Sequence, residues 1–130
     1  MGDSMIKVIT LLFCFTCVCK GELSPRFVRA IHLVETGGRI GPITGDNGKA
    51  LGPLQIHREA WQDSKVKGKY SDCSNLAYSK RVMQAYLLRF CPQAVRSNNF
   101  ERMARVWNGG SKGYLNVSTI GYWQRVKNNL

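Results

Sequence analysis

Acidic side chains are scarce in this chain, 8 Asp and Glu against 19 Lys and Arg in 130 residues, for a formal charge of +11. That balance favours an anionic partner, such as a polyanionic glycan, a nucleic acid or a membrane surface, without choosing among them. Histidines are fewer still, His32 and His57 alone, and they do not form an H-E-x-x-H pair. Together with the lack of a C-x-x-C pair beyond residue 21, this leaves no zinc pattern, and no metal or other cofactor is expected. The G-x-S-x-G, Walker A and G-x-G-x-x-G patterns are absent, which removes support for serine-hydrolase, P-loop and dinucleotide readings. No recognised nucleic-acid-binding module is present. There is no internal repeat, low-complexity tract or interdomain linker, and the length suits one domain. What is present is ordinary globular material, 44% hydrophobic and 21% charged, which argues against disorder and against fibrous rods.

The longest apolar run, Val8 to Val18, follows Lys7 and precedes small residues. It falls short of the ~20 residues that cross a bilayer as a helix, so residues 1–21 read as a secretory signal peptide cleaved after Cys19 or Gly21. The mature chain, 22–130, is then expected in the extracellular space or a lysosomal or phagosomal lumen, with no stable membrane insertion. Losing Lys7, Lys20 and Asp3 with the leader leaves 17 basic and 7 acidic side chains, a net of +10. Cys14, Cys17 and Cys19 leave as well, so the remaining cysteines are the pair Cys73 and Cys91. An oxidising compartment makes a disulfide between them an expectation. A straight helix over the intervening residues would hold its ends ~25 Å apart, so the bridge needs Cys73 to fold back; the alternative is two separate thiols, one buried and one exposed.

Helical spacing runs through most of the mature chain. Ser24-Pro25 opens a helix with Phe27, Val28, Ala30, Ile31, Leu33 and Val34 on its apolar positions, and Gly37-Gly38 closes it. Six glycines among the sixteen residues Gly37 to Gly52 exclude a helix there. Asp46-Asn47-Gly48 marks a tight turn, predicting a small hairpin flanked by Arg39 to Thr44 and Leu51 to Ile56. Helices follow from Arg58 to Val66, from Leu76 to Phe90 with Pro92 as its stop, and from Asn99 to Trp107. Ser118 is expected to cap a last one, with loops at Lys65 to Ser71 and Ser111 to Asn116. The fold class is α+β, mostly α, with one small β insertion.

Few carboxyls mean each can be weighed. Glu35 follows Ile31 by four and Val28 by seven, in line with the buried stripe of the first helix. Partial burial there raises a carboxyl pKa, and an acid still protonated near neutrality can donate a proton to a leaving oxygen. The alternative is a helix-end carboxylate that turns to solvent or pairs with Arg39. Asp46, eleven residues on, faces Glu35 if the hairpin folds back over the helix end. Glycoside hydrolysis needs such a pair, although Asp-Asn-Gly is also a sound turn without any chemistry.

Three separated motifs carry a resemblance. Glu35-Thr36-Gly37-Gly38 is similar to the Glu-Ser-Gly element that ends the catalytic helix of invertebrate-type lysozymes and lytic transglycosylases. Ala50-Leu51-Gly52-Pro53-Leu54-Gln55-Ile56 resembles the cleft-lining strand that ends in Gln-Ile. Asn108-Gly109-Gly110 with Lys112-Gly113, then Ser118-Thr119-Ile120-Gly121-Tyr122-Trp123, resemble the C-terminal signature of invertebrate-type lysozymes. The resemblance to the lysozyme-like superfamily spans Glu22 to Val126. It departs in cysteine content, low for that family, and in Trp107, where a histidine often precedes Asn-Gly-Gly.

The resemblance implies a secreted monomeric muramidase acting on bacterial peptidoglycan, with Glu35 as general acid and Asp46 as second carboxylate. Gln55, Tyr86, Asn108 and Gly109 are the candidates for the substrate wall, though each could equally be structural. Alternatives are a lytic transglycosylase, a non-enzymatic cationic antibacterial protein of the same fold and, less well supported, a nucleic-acid binder.

Overall fold

The computed structural model describes residues 21–130; the proposed leader up to Lys20 lies outside the described residues. Six α-helices surround one core: α1 (Pro25–Thr36), α2 (Arg58–Ser64), α3 (Leu76–Phe90), α4 (Pro92–Arg96), α5 (Phe100–Gly109) and α6 (Ile120–Lys127). Between α1 and α2 lies a three-stranded antiparallel sheet in the order β1 (Thr44–Gly45), β2 (Ala50–Leu51), β3 (Ile56–His57). Thr44 pairs with Leu51, and Ala50 with His57.

The apolar positions of α1 do what their spacing demands. Phe27, Ala30 and Ile31 are fully buried, and the Phe27 ring stacks on Phe100 of α5 at 5.4 Å between centroids. Val82, Met83 and Leu87 of α3 complete the centre of the core with Met103 and Val106 of α5 and Val126 of α6. The long helix α3 spans the residues read from the sequence, and Asn75 caps it by accepting from the Tyr78 amide at 2.9 Å.

Several local expectations are corrected. Each strand has only two residues, and a third strand extends the hairpin. Pro92 does not only close α3: with no N–H to leave unpaired, it starts α4 as that helix's first residue. The segments read as loops contain 3-10 turns at Tyr70–Ser74 and Gly113–Leu115. Ser118 does not cap α6; it lies inside a further 3-10 turn, Val117–Thr119, and its own amide donates to Asn116 Oδ1.

The disulfide expectation is also overturned, because Cys73 and Cys91 are free thiols. Cys73 precedes the first turn of α3 and Cys91 follows its last, and a helix of that length holds its ends about 22 Å apart. The chain does not fold back to close that gap. Both thiols are buried, contrary to the alternative of one inside and one outside. Each behaves as a small apolar side chain, and burial pushes each thiol pKa up to about 11.

Candidate active site

The hairpin does fold back over the end of α1. Gly37 adopts the left-handed conformation, φ 66°, and its N–H returns to the carbonyls of His32 and Leu33, ending the helix at Thr36. Thr36 turns inward, and its hydroxyl donates to the Pro53 carbonyl at 2.9 Å, tying the helix end to the loop between β2 and β3. Arg39 turns back as well, its Nε donating to the Thr36 carbonyl at 3.1 Å. Arg39 is thus held by backbone and does not serve as the ion-pair partner of Glu35.

Glu35 is partly buried and meets α6 instead. The Tyr122 hydroxyl donates to Glu35 Oε1 at 2.7 Å, a contact between residues 87 apart in the chain. Burial raises the Glu35 pKa from 4.5 to about 7, and the Tyr122 bond and the Arg125 charge only partly oppose it. Near neutral pH the carboxyl is therefore divided between its acid and its anion, the condition a general acid needs.

Asp46 and Glu35 line the same cleft, of about 800 Å³, which runs between the hairpin, α2, α3 and the end of α5. Asp46 sits at the first turn position with φ 49°, a left-handed conformation that Asp tolerates better than most residues. Its Oδ2 lies 3.1 Å from His57 Nε2, so the end of β3 holds the turn carboxylate. Asp46 is well exposed, unlike Glu35. The two carboxyls thus occupy different environments in one cleft, one partly buried and one exposed.

The remaining candidates divide. Gln55 lines the cleft, yet its Nε2 donates to the Ile43 and Gly52 carbonyls at 3.1 and 2.9 Å, so its amide donors brace the hairpin. Tyr86 lines the cleft from a nearly buried position, packed on Phe90 and edge-on to Trp107 at 5.6 Å. Asn108 is exposed on the cleft wall. Gly109 does not line it: its neighbours Asn108 and Gly110 do, while a Cβ on Gly109 would stand 2.6 Å from the Thr119 methyl group. Gly109 therefore serves the close approach of α5 to the turn before α6.

The wider electrostatics of the cleft arise only once the fold brings its walls together. Of the 7 acidic residues among the described ones, four line the cleft: Glu35, Asp46, Glu59 and Asp63. Arg89 is the one Lys or Arg on that wall, and its guanidinium donates to the Asp63 carbonyl at 2.7 Å. A strongly basic domain thus carries an acidic furrow. The i, i+4 spacing of Glu59 and Asp63 was the available signal, since it sets both on one face of α2.

A helical domain with a small hairpin insertion, and a protonatable carboxyl where the first helix ends in a cleft, is the architecture of a lysozyme-like protein. Known proteins narrow this class. The chain is 40% identical over 110 residues to Lysozyme 1 of Crassostrea virginica, a match covering 82% of this chain and 60% of that protein's length. It is 30% identical over 124 residues to a lysozyme of Magallana gigas, covering 93% of this chain and 88% of the relative. The Meretrix lusoria lysozyme, solved in complex with Aeromonas hydrophila PliI, superposes with a TM-score of 0.72 at 31% identity, over 83% of this chain and 91% of that one. No protein-family model matches. The chain belongs to the invertebrate-type lysozymes, a family of glycoside hydrolases.

Proposed function

We propose that the protein is a secreted muramidase that hydrolyses the β-1,4 bond after N-acetylmuramic acid in bacterial peptidoglycan. The observation that carries this reading is Glu35, a carboxyl with a pKa of about 7 lining one cleft with the exposed carboxylate of Asp46. In this reading Glu35 gives its proton to the glycosidic oxygen as the bond from that oxygen to the anomeric carbon breaks. Asp46 faces the positive charge that develops on the sugar; water then bonds to the anomeric carbon through its oxygen and returns its spare proton to Glu35. The three other carboxyls of the furrow, Asp46, Glu59 and Asp63, favour that cation-like transition state over the neutral ground state, so their attraction lowers the barrier rather than only tightening binding. The surrounding positive surface draws the domain toward anionic envelope polymers, an attraction that weakens with salt.

The test is turbidity loss of purified peptidoglycan. Glu35→Gln keeps the shape and removes the proton, and is expected to cost at least about 100-fold, the scale of a lost general acid. Asp46→Asn is expected to lower turnover as well; full activity in that variant reduces Asp46 to a turn residue. Undiminished lysis by Glu35→Gln defeats the enzymatic reading in favour of charge alone. The product mass must include one added water, since a transglycosylase yields an anhydro sugar. Secretion rests on the apolar leader, and N-terminal sequencing of exported protein is expected to start just after Cys19 or Gly21.

A further inference from the structure

We propose that Tyr122 is a positioning residue for the reaction: by donating to Oε1 of Glu35, it assigns the transferable proton to Oε2. This rests on the muramidase reading of Glu35. Tyr122 is 4% exposed, and among the described residues its hydroxyl has a single hydrogen-bond partner, Glu35 Oε1 at 2.7 Å. A buried hydroxyl hydrogen left without an acceptor is costly. If the Glu35 proton sat on Oε1 and pointed at the phenol oxygen, the Tyr122 hydrogen would lose its acceptor and gain none. With the proton on Oε2, the Tyr122 hydrogen keeps its acceptor. Tyr122 therefore donates to Oε1 whether Glu35 is acid or anion, and only Oε2 changes its protonation through the cycle.

The phenol can play this part at every working pH, because burial together with the adjacent Glu35 charge holds its own ionisation well above the ordinary value. The bond also strengthens when Glu35 becomes an anion, since a charged acceptor makes the stronger hydrogen bond. Tyr122 thus opposes the effect of burial and keeps Glu35 from remaining protonated far above neutrality. The other charged groups near the site are Arg125 on α6, Asp46 and His57 on the hairpin sheet, Glu59 and Asp63 on α2, and Arg89 on α3. Of these only Arg125 acts appreciably on Glu35, and it favours the anion as Tyr122 does.

The test is a 13C-carboxyl NMR titration of Glu35 alongside the pH profile of turnover on peptidoglycan. In Tyr122→Phe the Glu35 midpoint is expected to rise by about one pH unit, the worth of one hydrogen bond to a charged group. The alkaline edge of kcat should rise with it, with lower plateau kcat and unchanged KM. Replacing Tyr122 by 3,5-difluorotyrosine keeps the ring in place and makes a stronger donor, so the midpoint is expected to fall; this arm decides if the phenylalanine variant does not fold. A folded variant of either kind that titrates at the native midpoint overturns the assignment. The NMR midpoint needs no turnover, so a native protein inactive at every pH defeats the muramidase reading separately.

Discussion

Replacing Glu35 by glutamine should stabilise the protein at alkaline pH and leave it nearly unchanged in acid. In the unfolded chain this carboxyl titrates near its ordinary 4.5, and in the fold near 7, chiefly because burial penalises the anion. The native state therefore binds the proton more tightly than the unfolded state. The favourable contribution is fully present below pH 4.5 and is lost as the pH rises through 7. The difference between those two values corresponds to about 3 kcal/mol, a large part of the 5 to 15 kcal/mol by which a typical domain is stable. Glutamine has almost the same shape, still accepts from the Tyr122 hydroxyl through its Oε1, and never ionises. Urea unfolding of both proteins at pH 4, 5, 6, 7 and 8 isolates the effect, because every other titrating group is common to the two. Stability curves that stay parallel across that range would refute the burial of Glu35 and with it the acid role.

Other consequences are independent of turnover. In the chain beginning at Glu22, Cys73 and Cys91 are expected to resist a thiol reagent at pH 8 while folded, then yield two thiols in denaturant. Dithiothreitol should leave Tm unchanged; a drop of several degrees on reduction would mean that a bridge exists after all. Gly52 stands at φ 84°, and a Cβ there would lie 1.8 Å from the Cys73 carbonyl oxygen. Gly52→Ala should therefore destabilise the domain by about 2 to 4 kcal/mol in urea unfolding, and a cost near zero would show that the hairpin does not pack against the turn before α3.

The elements legible in the sequence are those whose cause is local. Phe27, Ala30 and Ile31 recur at helical spacing, and the helix they specify buries them. Leu76 to Phe90 was read from its helical spacing and the proline that follows it, and both boundaries hold. The turn at Asp46 needed only Asp-Asn-Gly. Where a contact joins distant segments, spacing carried less. The cysteine pair looked like a staple by count alone, whereas the straight helix between its members decides the matter by distance. Gln55 looked like a free amide on a cleft strand, but it lies in the turn between β2 and β3, where its side chain bonds the Ile43 and Gly52 carbonyls.

Glu35 and Tyr122 show how the two kinds of information combine. The position of Glu35 in line with Val28 and Ile31 was enough to place its carboxyl at the border of the core. It was not enough to say what met it there, and Arg39, four residues away, was the obvious local partner. The fold instead commits Arg39 to the Thr36 carbonyl and brings Tyr122 across from α6. Tyr122 and Val126 are both buried one turn apart on α6, so the helix that supplies the donor is anchored by the same apolar face that aims it. A cationic partner at this position would have held Glu35 as an anion; a neutral donor satisfies one oxygen and still allows a pKa near 7. The choice of partner, made by packing between the two ends of the chain, is what leaves a carboxyl at a helix end able to act as an acid.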